Sequence, residues 1–148
     1  MRSVLQRVSR AAVRVDDQVV GEIELGLCAL VGVEREDTER DAVWLAEKVV
    51  EARVFEDDAG KMNRSLRDVG GALLAVSQFT LLGDLRRGRR PSFDSAMQPS
   101  GAELLFTAFC DYCRRSVRVE TGRFRTMMQV ELVNAGPVTL LLDSKKAF

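Results

Sequence analysis

The order of strand and helix patterns along the chain limits its fold more than any other feature. Loosely alternating apolar residues from Ser3 to Val15 predict a strand, and Asp16-Asp17 predicts a turn into a hairpin partner from Val19 to Ile23. Leu27 to Val33 and Ala72 to Val76 are continuous apolar runs with the length typical of buried strands. The N-terminal half of the chain is therefore predicted to be rich in strands.

Two other segments have helical periodicity. Thr38 or Asp37 is placed to cap the first helix. Ser100 and Glu103 have the spacing of a capping box, directly after Pro99, and predict Ser100 as the cap of the second helix. The apolar residues at helical spacing are Ala42, Leu45, Ala46, Val49 and Val50 in the first helix and Leu104, Leu105, Ala108, Phe109 and Tyr112 in the second.

Two final strands are predicted from Gln129 to Val133 and from Val138 to Leu142, on either side of a Gly136-Pro137 corner. No repeat or linker interrupts residues 1–148, so we expect one domain. The order of strands, helix, strand, helix and strands predicts the α+β class, with two helices packed on a largely antiparallel sheet.

The composition indicates an ordinary cytoplasmic domain. No apolar stretch of signal-peptide length follows Arg2, and the longest uninterrupted apolar run, Leu27 to Val31, is far too short to cross a bilayer. The three cysteines are an odd number, and a chain of 148 residues can bury a core without disulfides. We therefore expect reduced thiols, a cytoplasmic location and no membrane partner.

The chain contains no histidine, which removes a large part of enzyme chemistry. Ser-His-Asp and Cys-His catalytic arrangements are excluded, and so is a histidine-ligated zinc site. Cys110 and Cys113 have the spacing of half a metal site, but no second pair supplies the other ligands. We interpret both as core or surface residues of the second helix, and expect neither a metal nor another cofactor.

A short arginine-rich segment is the candidate for nucleic-acid binding. The formal net charge is zero, so any attraction for RNA must come from a local patch. Glycine and proline mark the segment as a loop, and arginine forks match phosphate oxygens. The residues alone leave two interpretations open, RNA binding and a solvated loop. The arginines are Arg86, Arg87, Arg89 and Arg90, directly before Pro91.

Polar or conformationally special residues follow two predicted strands where each strand ends. Ser77-Gln78-Phe79-Thr80-Leu81 follows Ala72 to Val76, and Asn134-Ala135-Gly136-Pro137-Val138-Thr139 follows Met128 to Val133. Groups at strand ends suit ligand binding because the sheet fixes their positions. The two segments resemble the SQFTL and NxGPVT motifs of the D-aminoacyl-tRNA deacylases. The resemblance extends from Gln6-Arg7-Val8 almost to the C-terminus.

The resemblance implies a fold, an assembly and a reaction. The expected fold is a partial barrel with two packed helices, and the expected assembly is a homodimer with active sites at the subunit interface. The expected substrate is aminoacyl-tRNA, bound at its 3′-terminal adenosine, and the expected reaction is hydrolysis of the ester to a D-amino acid. Glycine has no side chain, so glycyl-tRNA mischarged on tRNA-Ala is an expected side substrate.

The first motif supplies the candidate catalytic residues. A strand that ends leaves amides unpaired, so the backbone N–H groups of Phe79 and Thr80 are candidates for an oxyanion hole. The Thr80 hydroxyl has no histidine to activate it as a nucleophile. The resemblance implies that main-chain atoms hold the substrate and that the ribose 2′-hydroxyl of the RNA assists. It assigns Ser77, Gln78, Phe79 and Thr80 to the catalytic pocket, with Thr80 as the residue most often named catalytic. Gln78 is the side chain that we expect to hydrogen-bond the terminal nucleotide or water; a polar residue at a sheet edge is the alternative.

The second motif supplies the candidate for chiral selection. Most X–Pro bonds are trans, so the residues alone predict a trans Gly136-Pro137 bond. The resemblance implies a cis bond whose carbonyls enter the active site of the partner subunit. There the rigid backbone would exclude the side chain of an L-residue but not that of a D-residue.

Further residues are expected to support this selection. Asn134 and Thr139 flank the corner and can hydrogen-bond locally, and Val138 belongs to the same motif. The resemblance points to Arg7, whose guanidinium would donate to the Gly-Pro carbonyls; a solvent-facing charge is the alternative. Met128 either lines the pocket or lies in the core, and its residue type leaves both open.

Two other functions remain as alternatives. A non-catalytic tRNA-binding module would use the arginine loop, Arg86 to Arg90, and its binding would fall steeply with salt. A hydrolase of small D-amino-acid esters would be fully active on an ester without RNA.

Overall fold

The structure, a computed structural model, describes residues 1–147. These residues form one six-stranded sheet, a two-stranded hairpin and two α-helices. The sheet strands are β1 (Arg2–Val15), β2 (Gln18–Ile23), β3 (Gly26–Gly32), β6 (Ala72–Ser77), β7 (Arg118–Thr121) and β8 (Gln129–Asp143), the hairpin is β4 (Phe55–Glu56) with β5 (Met62–Arg64), and the helices are α1 (Glu39–Glu51) and α2 (Pro99–Arg114).

The sheet is mixed and curls towards closure. β1 pairs antiparallel with β8 along one edge, and with β3 and then β2 along the other. The β3–β6 and β6–β7 pairings are parallel. β7 comes back to β2, where the Arg118 guanidinium donates to the Glu22 carbonyl at 3.1 Å. The predicted α+β class and partial barrel are confirmed, with antiparallel pairings around β1 and parallel pairings around β6.

The sheet is buried on both faces in the region of β3 and β6, which explains their continuous apolar sequences. Alternate residues such as Leu27 and Leu73 pack in the cluster that includes both helices, whereas Cys28 and Leu74 pack in a second cluster on the other face. The two strands start so close together that a Cβ on Gly26 would lie 1.8 Å from the Ala72 carbonyl oxygen. Only glycine fits there.

The two helix starts differ in how well the sequence predicted them. Thr38 is the N-cap of α1, and its backbone N–H donates to the Asp41 carboxylate at 2.8 Å. The prediction of Ser100 as the cap of α2 is wrong, because Gln98 is the N-cap and Pro99 opens the helix. Proline fits the first helical position because its φ is already helical and no N–H is needed there.

The strand predictions also need three corrections. β7 was not predicted, since its four residues are largely polar and pair only with the distant β6. Phe79 and Thr80 lie beyond the end of β6, in a 3-10 turn at Phe79–Leu82. The two strands predicted around Gly136-Pro137 are one strand, β8, whose pairing with β1 is irregular opposite that corner.

Neither helix among residues 1–147 is long and apolar enough to cross a membrane.

Candidate active site

The first motif lies at the carboxyl end of β6, between two parallel neighbours. Ser77 is half-buried and pairs in register with Val31 of β3, and the Gln78 N–H donates to the Val31 carbonyl at 2.8 Å. The chain then turns into the 3-10 turn. Phe79 and Thr80 are its first two residues, and the first N–H groups of a helical turn have no acceptor within the turn. Two backbone donors are thus available at this strand end.

The side chains of this segment are exposed but organised. The Gln78 amide donates to the Thr80 hydroxyl oxygen. The Phe79 ring is 56% exposed and meets the Phe93 ring edge-on, with 4.9 Å between ring centres. Phe93 was not singled out from the sequence, where it is one aromatic residue in a loop; only the fold brings it under Phe79.

The second motif is held by an arginine from β1. The Gly136-Pro137 peptide bond is cis, and Gly136 has φ +131°, a conformation that favours glycine. Arg7 Nε donates to the Ala135 carbonyl at 2.8 Å, and Arg7 Nη1 donates to the Val54 carbonyl at 2.6 Å. The Arg7 side chain is only 12% exposed, which excludes the solvent-facing interpretation.

The details around Arg7 refine the expectation in one respect. The carbonyls that accept its hydrogen bonds belong to Ala135 and Val54, not to Gly136 and Pro137. Gly136 is nevertheless in contact, because a Cβ on it would lie 2.9 Å from Arg7 Nη2. Arg7 therefore joins the backbone before the Gly-Pro corner to the chain that follows α1.

The other residues of the second motif divide between surface and core. The Thr139 hydroxyl donates to the Gln6 side-chain oxygen, which ties β8 to β1. Asn134 is exposed and pairs in register with Val8. Val138 packs against the core cluster under the helices, and Met128 packs against the cluster on the other sheet face. For Met128 the structure thus shows core contact.

The two motifs do not meet within one chain. β1 and β3 lie between β8 and β6, which separates the motifs by about 14 Å at ordinary strand spacing. Arg7, beside the Gly-Pro corner, pairs in register with Leu27 of β3, and Leu27 pairs with Leu73 of β6. Leu73 lies four residues before Ser77. Four residues add about 13 Å along the strands. A ligand of a single chain that touches Thr80 is therefore far from Gly136.

The arginine loop lies next to the first motif. Asp84 and Ser92 form an antiparallel bridge at its base, and Phe93 follows directly under Phe79. Arg86 is bound within the loop, because its guanidinium donates to the Asp84 carboxylate at 2.6 Å. These hydrogen bonds lower the pKa of Asp84 from 3.8 to about 2. The other arginines, Arg87, Arg89 and Arg90, are exposed.

The three cysteines lie in the core. Cys28, Cys110 and Cys113 are free and buried, which confirms the interpretation of the last two as helix residues. Burial raises the pKa of Cys110 and Cys113 to about 12. Among residues 1–147, no three His, Cys, Asp or Glu residues are grouped so that they could hold a metal ion.

Comparison with known proteins decides the family. Residues 4–143 match the sequence model of the family described as D-Tyr-tRNA(Tyr) deacylase. The chain belongs to this family. It is 60% identical to the D-aminoacyl-tRNA deacylase of Symbiobacterium thermophilum, covering 100% of this chain and 99% of that protein. It is 57% identical to the D-aminoacyl-tRNA deacylase of Koribacter versatilis, with 100% of both chains covered. The resemblance noted from the two motifs is confirmed, and with it the class of hydrolase.

Solved structures give the same fold. The structure titled c-Myc DNA Unwinding Element Binding Protein is 37% identical, with a TM-score of 0.91 over 97% of this chain and 98% of that one. A structure titled as a probable eukaryotic D-amino acid tRNA deacylase has a TM-score of 0.82 at 17% identity, covering 95% and 97%, and supports the fold alone.

Proposed function

We propose that this protein hydrolyses the ester bond of D-aminoacyl-tRNA at the 3′-terminal adenosine and releases free D-amino acid and tRNA. The observation that carries the proposal is the pair of backbone donors at Phe79 and Thr80, at the strand end where the family motif lies. The relatives from Symbiobacterium and Koribacter, which match over the whole chain, are named as D-aminoacyl-tRNA deacylases.

The proposed chemistry depends on the backbone. Water attacks the ester carbonyl carbon, and the N–H groups of Phe79 and Thr80 stabilise the oxyanion that forms. The bond to the ribose oxygen then breaks, and a proton of the attacking water is transferred to the leaving oxygen with the help of the neighbouring 2′-hydroxyl of the RNA. The Thr80 hydroxyl accepts a hydrogen bond from Gln78 and has no histidine to remove its proton, which argues against Thr80 as a nucleophile. Ser77 completes the proposed pocket.

The proposed assembly is a homodimer in which each active site uses both chains. The strand spacing supports it, because one chain holds the two motifs about 20 Å apart. β8 also pairs only with β1 among the strands of residues 1–147, which leaves its other edge open. Val133, Leu140 and Leu141 on β8 are 43%, 38% and 59% exposed. An open, apolar strand edge suits a second copy of the chain.

In the proposed dimer, Gly136 and Pro137 select the chirality of the substrate. Both residues are exposed, so they are accessible to a partner chain, and the Arg7 hydrogen bond to Ala135 restrains the backbone before them. An L-side chain would collide with this backbone, while a D-side chain points away. Glycyl-tRNA, including glycine mischarged on tRNA-Ala, would escape the selection. Pocket roles for Asn134, Val138, Thr139 and Met128 stay predictions.

The arginine loop is proposed to contact the RNA. Its base lies next to Phe79, and all four of its arginines are exposed; Arg86 is ion-paired with Asp84, whereas no ion pair within the described residues holds Arg87, Arg89 or Arg90. A cytoplasmic location, where tRNA is charged and used, belongs to the same proposal.

Hydrolysis of D-tyrosyl-tRNA, L-tyrosyl-tRNA and glycyl-tRNA, measured side by side with no-enzyme controls, tests the proposal. We expect loss of the D-ester and of the glycyl ester only. Loss of the L-ester at the same rate would retain the hydrolase but contradict the chiral selection by Gly136 and Pro137. Binding of tRNA without hydrolysis would favour the non-catalytic module, and equal activity on D-tyrosine methyl ester would favour a hydrolase of small esters.

A further inference from the structure

A second basic segment lies near the first motif, and the proposed function does not use it. The β7–β8 loop, residues 122–128, reads Gly-Arg-Phe-Arg-Thr-Met-Met and contains no acidic residue. Arg123 and Arg125 are exposed, and neither forms an ion pair within residues 1–147. The nearest preceding carboxylate, that of Glu120, is bound by Arg118 at 3.0 Å. Within the described residues, no ion pair therefore neutralises the positive charge of this loop.

The fold places this loop beside the candidate catalytic segment. β6 and β7 run parallel, and Thr121 pairs with Ala75. The Gly122 N–H donates to the Ala75 carbonyl at 3.4 Å. The next residue, Arg123, is thus level with Ser77, and both chains leave the sheet at the same edge.

The loop is anchored rather than loosely extended. The Phe124 ring lies between the two arginines in sequence and packs against Phe106 of α2, with 6.5 Å between ring centres. The Thr126 hydroxyl donates to the Phe124 carbonyl at 3.3 Å, and Arg125 has φ +55° in the turn. With Phe124 directed to the core, the flanking arginines are presented to solvent at a fixed position.

The two basic segments approach the active strand end from opposite sides. The segment after the arginine loop lies along the chain that follows β3, since the Arg35 N–H donates to the Ser95 carbonyl at 2.8 Å and the Met97 N–H donates to the Val33 carbonyl at 3.0 Å. The β7–β8 loop extends from the other neighbour of β6. RNA whose terminal nucleotide occupies the site between them would meet arginines on both sides.

We infer that Arg123 and Arg125 bind backbone phosphates of the acceptor end of the substrate RNA. The inference rests on the proposed function for the identity of the RNA. Guanidinium forks bind phosphate oxygens in pairs and carry no preference for base sequence. The two arginines therefore determine how tightly charged tRNA is held, and not which ester is hydrolysed.

The test combines a double variant with a charge-matched control. The variant is R123Q/R125Q. The control, R40Q/R115Q, removes two exposed arginines that have no ion pair within the described residues; Arg40 lies in the first turn of α1 and Arg115 directly after α2, so both are outside the two basic segments. Binding of uncharged tRNA is measured from low to high salt. We expect the slope of log affinity against log salt to fall by about 2 in R123Q/R125Q and to stay unchanged in the control.

Kinetics with two substrates complete the test. With D-tyrosyl-tRNA as substrate, we expect R123Q/R125Q to have a higher KM and an unchanged kcat. With 3′-D-tyrosyl-adenosine, which lacks phosphates, we expect the variant to have the same KM and kcat as the unmodified protein. An unchanged salt slope, or an equal loss on both substrates, would overturn the inference. If the unmodified protein hydrolysed neither ester, the proposed function would fail, and the salt slope would still decide whether the two arginines bind RNA.

Discussion

Replacing Arg7 with methionine tests how the Gly-Pro corner is held. The change keeps an unbranched side chain of moderate length but removes both donors to the Ala135 and Val54 carbonyls. Each hydrogen bond from a charged donor contributes about 1.5–3 kcal/mol. The variant no longer has to desolvate a charged guanidinium on folding, which offsets part of this loss. We therefore expect the free energy of unfolding to fall by about 2–4 kcal/mol. Urea unfolding measures this directly.

Arg14→Met is the matched control for this experiment. Arg14 also connects β1 to β8, through an ion pair with Glu131 at 2.8 Å. The side chains of this pair are 37% and 62% exposed. Such pairs contribute about 0–1 kcal/mol, so this variant should unfold nearly like the unmodified protein.

The activity of Arg7→Met separates stability from selection. Under conditions where the variant is folded, we expect the ratio of D-tyrosyl-tRNA to L-tyrosyl-tRNA hydrolysis to fall about tenfold for each 1.4 kcal/mol lost from the restraint on the corner. An Arg7→Met variant as stable as Arg14→Met, or one with an unchanged ratio, would refute the reasoning that Arg7 restrains this backbone.

Three further predictions concern the remaining buried and charged groups. Asp37→Asn should lower the free energy of unfolding by about 3–5 kcal/mol in urea, because it leaves the buried Met1 ammonium, 2.7 Å from Asp37, without its charge partner. The Asp84–Arg86 contact contributes stability that is complete above pH 3.8 and lost as pH falls through about 2; NMR titration of Arg86→Gln should show the Asp84 midpoint returning towards 3.8, and an unchanged midpoint would exclude Arg86 as the cause. Thiol reagents at pH 8 should label Cys110 and Cys113 only as fast as the protein unfolds; immediate labelling would show that these thiols are accessible.

The sequence predicted those elements whose burial and ends are reflected in the pattern of their own residues. β3 and β6 are buried on both faces, so their sequences are continuously apolar. α1 packs one face on the sheet and begins at a threonine cap, and both features are visible locally. β7 lacks such a signal, because its pairing with β6 depends on chain about forty residues away.

The candidate site shows the same division. The two motifs were found because each follows a stretch with the residue pattern of a strand and resembles a family motif, although the second motif lies within β8 and not at its end. Two contacts that hold these motifs were not predicted. Phe93, which packs against Phe79, and Val54, whose carbonyl accepts a hydrogen bond from Arg7, both lie in loops without a recognisable residue pattern. The start of α2 was misplaced because Ser100 and Glu103 match a capping box, while Pro99 is the first helical residue and Gln98 the N-cap, two residues before the predicted cap.

The order of strands in the sheet explains why catalysis and selection would need two chains. Within one chain, β1 and β3 keep the Gly-Pro corner about 20 Å, measured along the sheet, from Ser77 at the start of the first motif, and no rotation of a side chain spans that distance. Arg7 lies on β1, next to the corner and not to the first motif. Its effect on a reaction would therefore reach the active site of the partner subunit through the backbone that it holds. In that arrangement a substitution in β1 changes which ester is accepted without touching the groups that hydrolyse it.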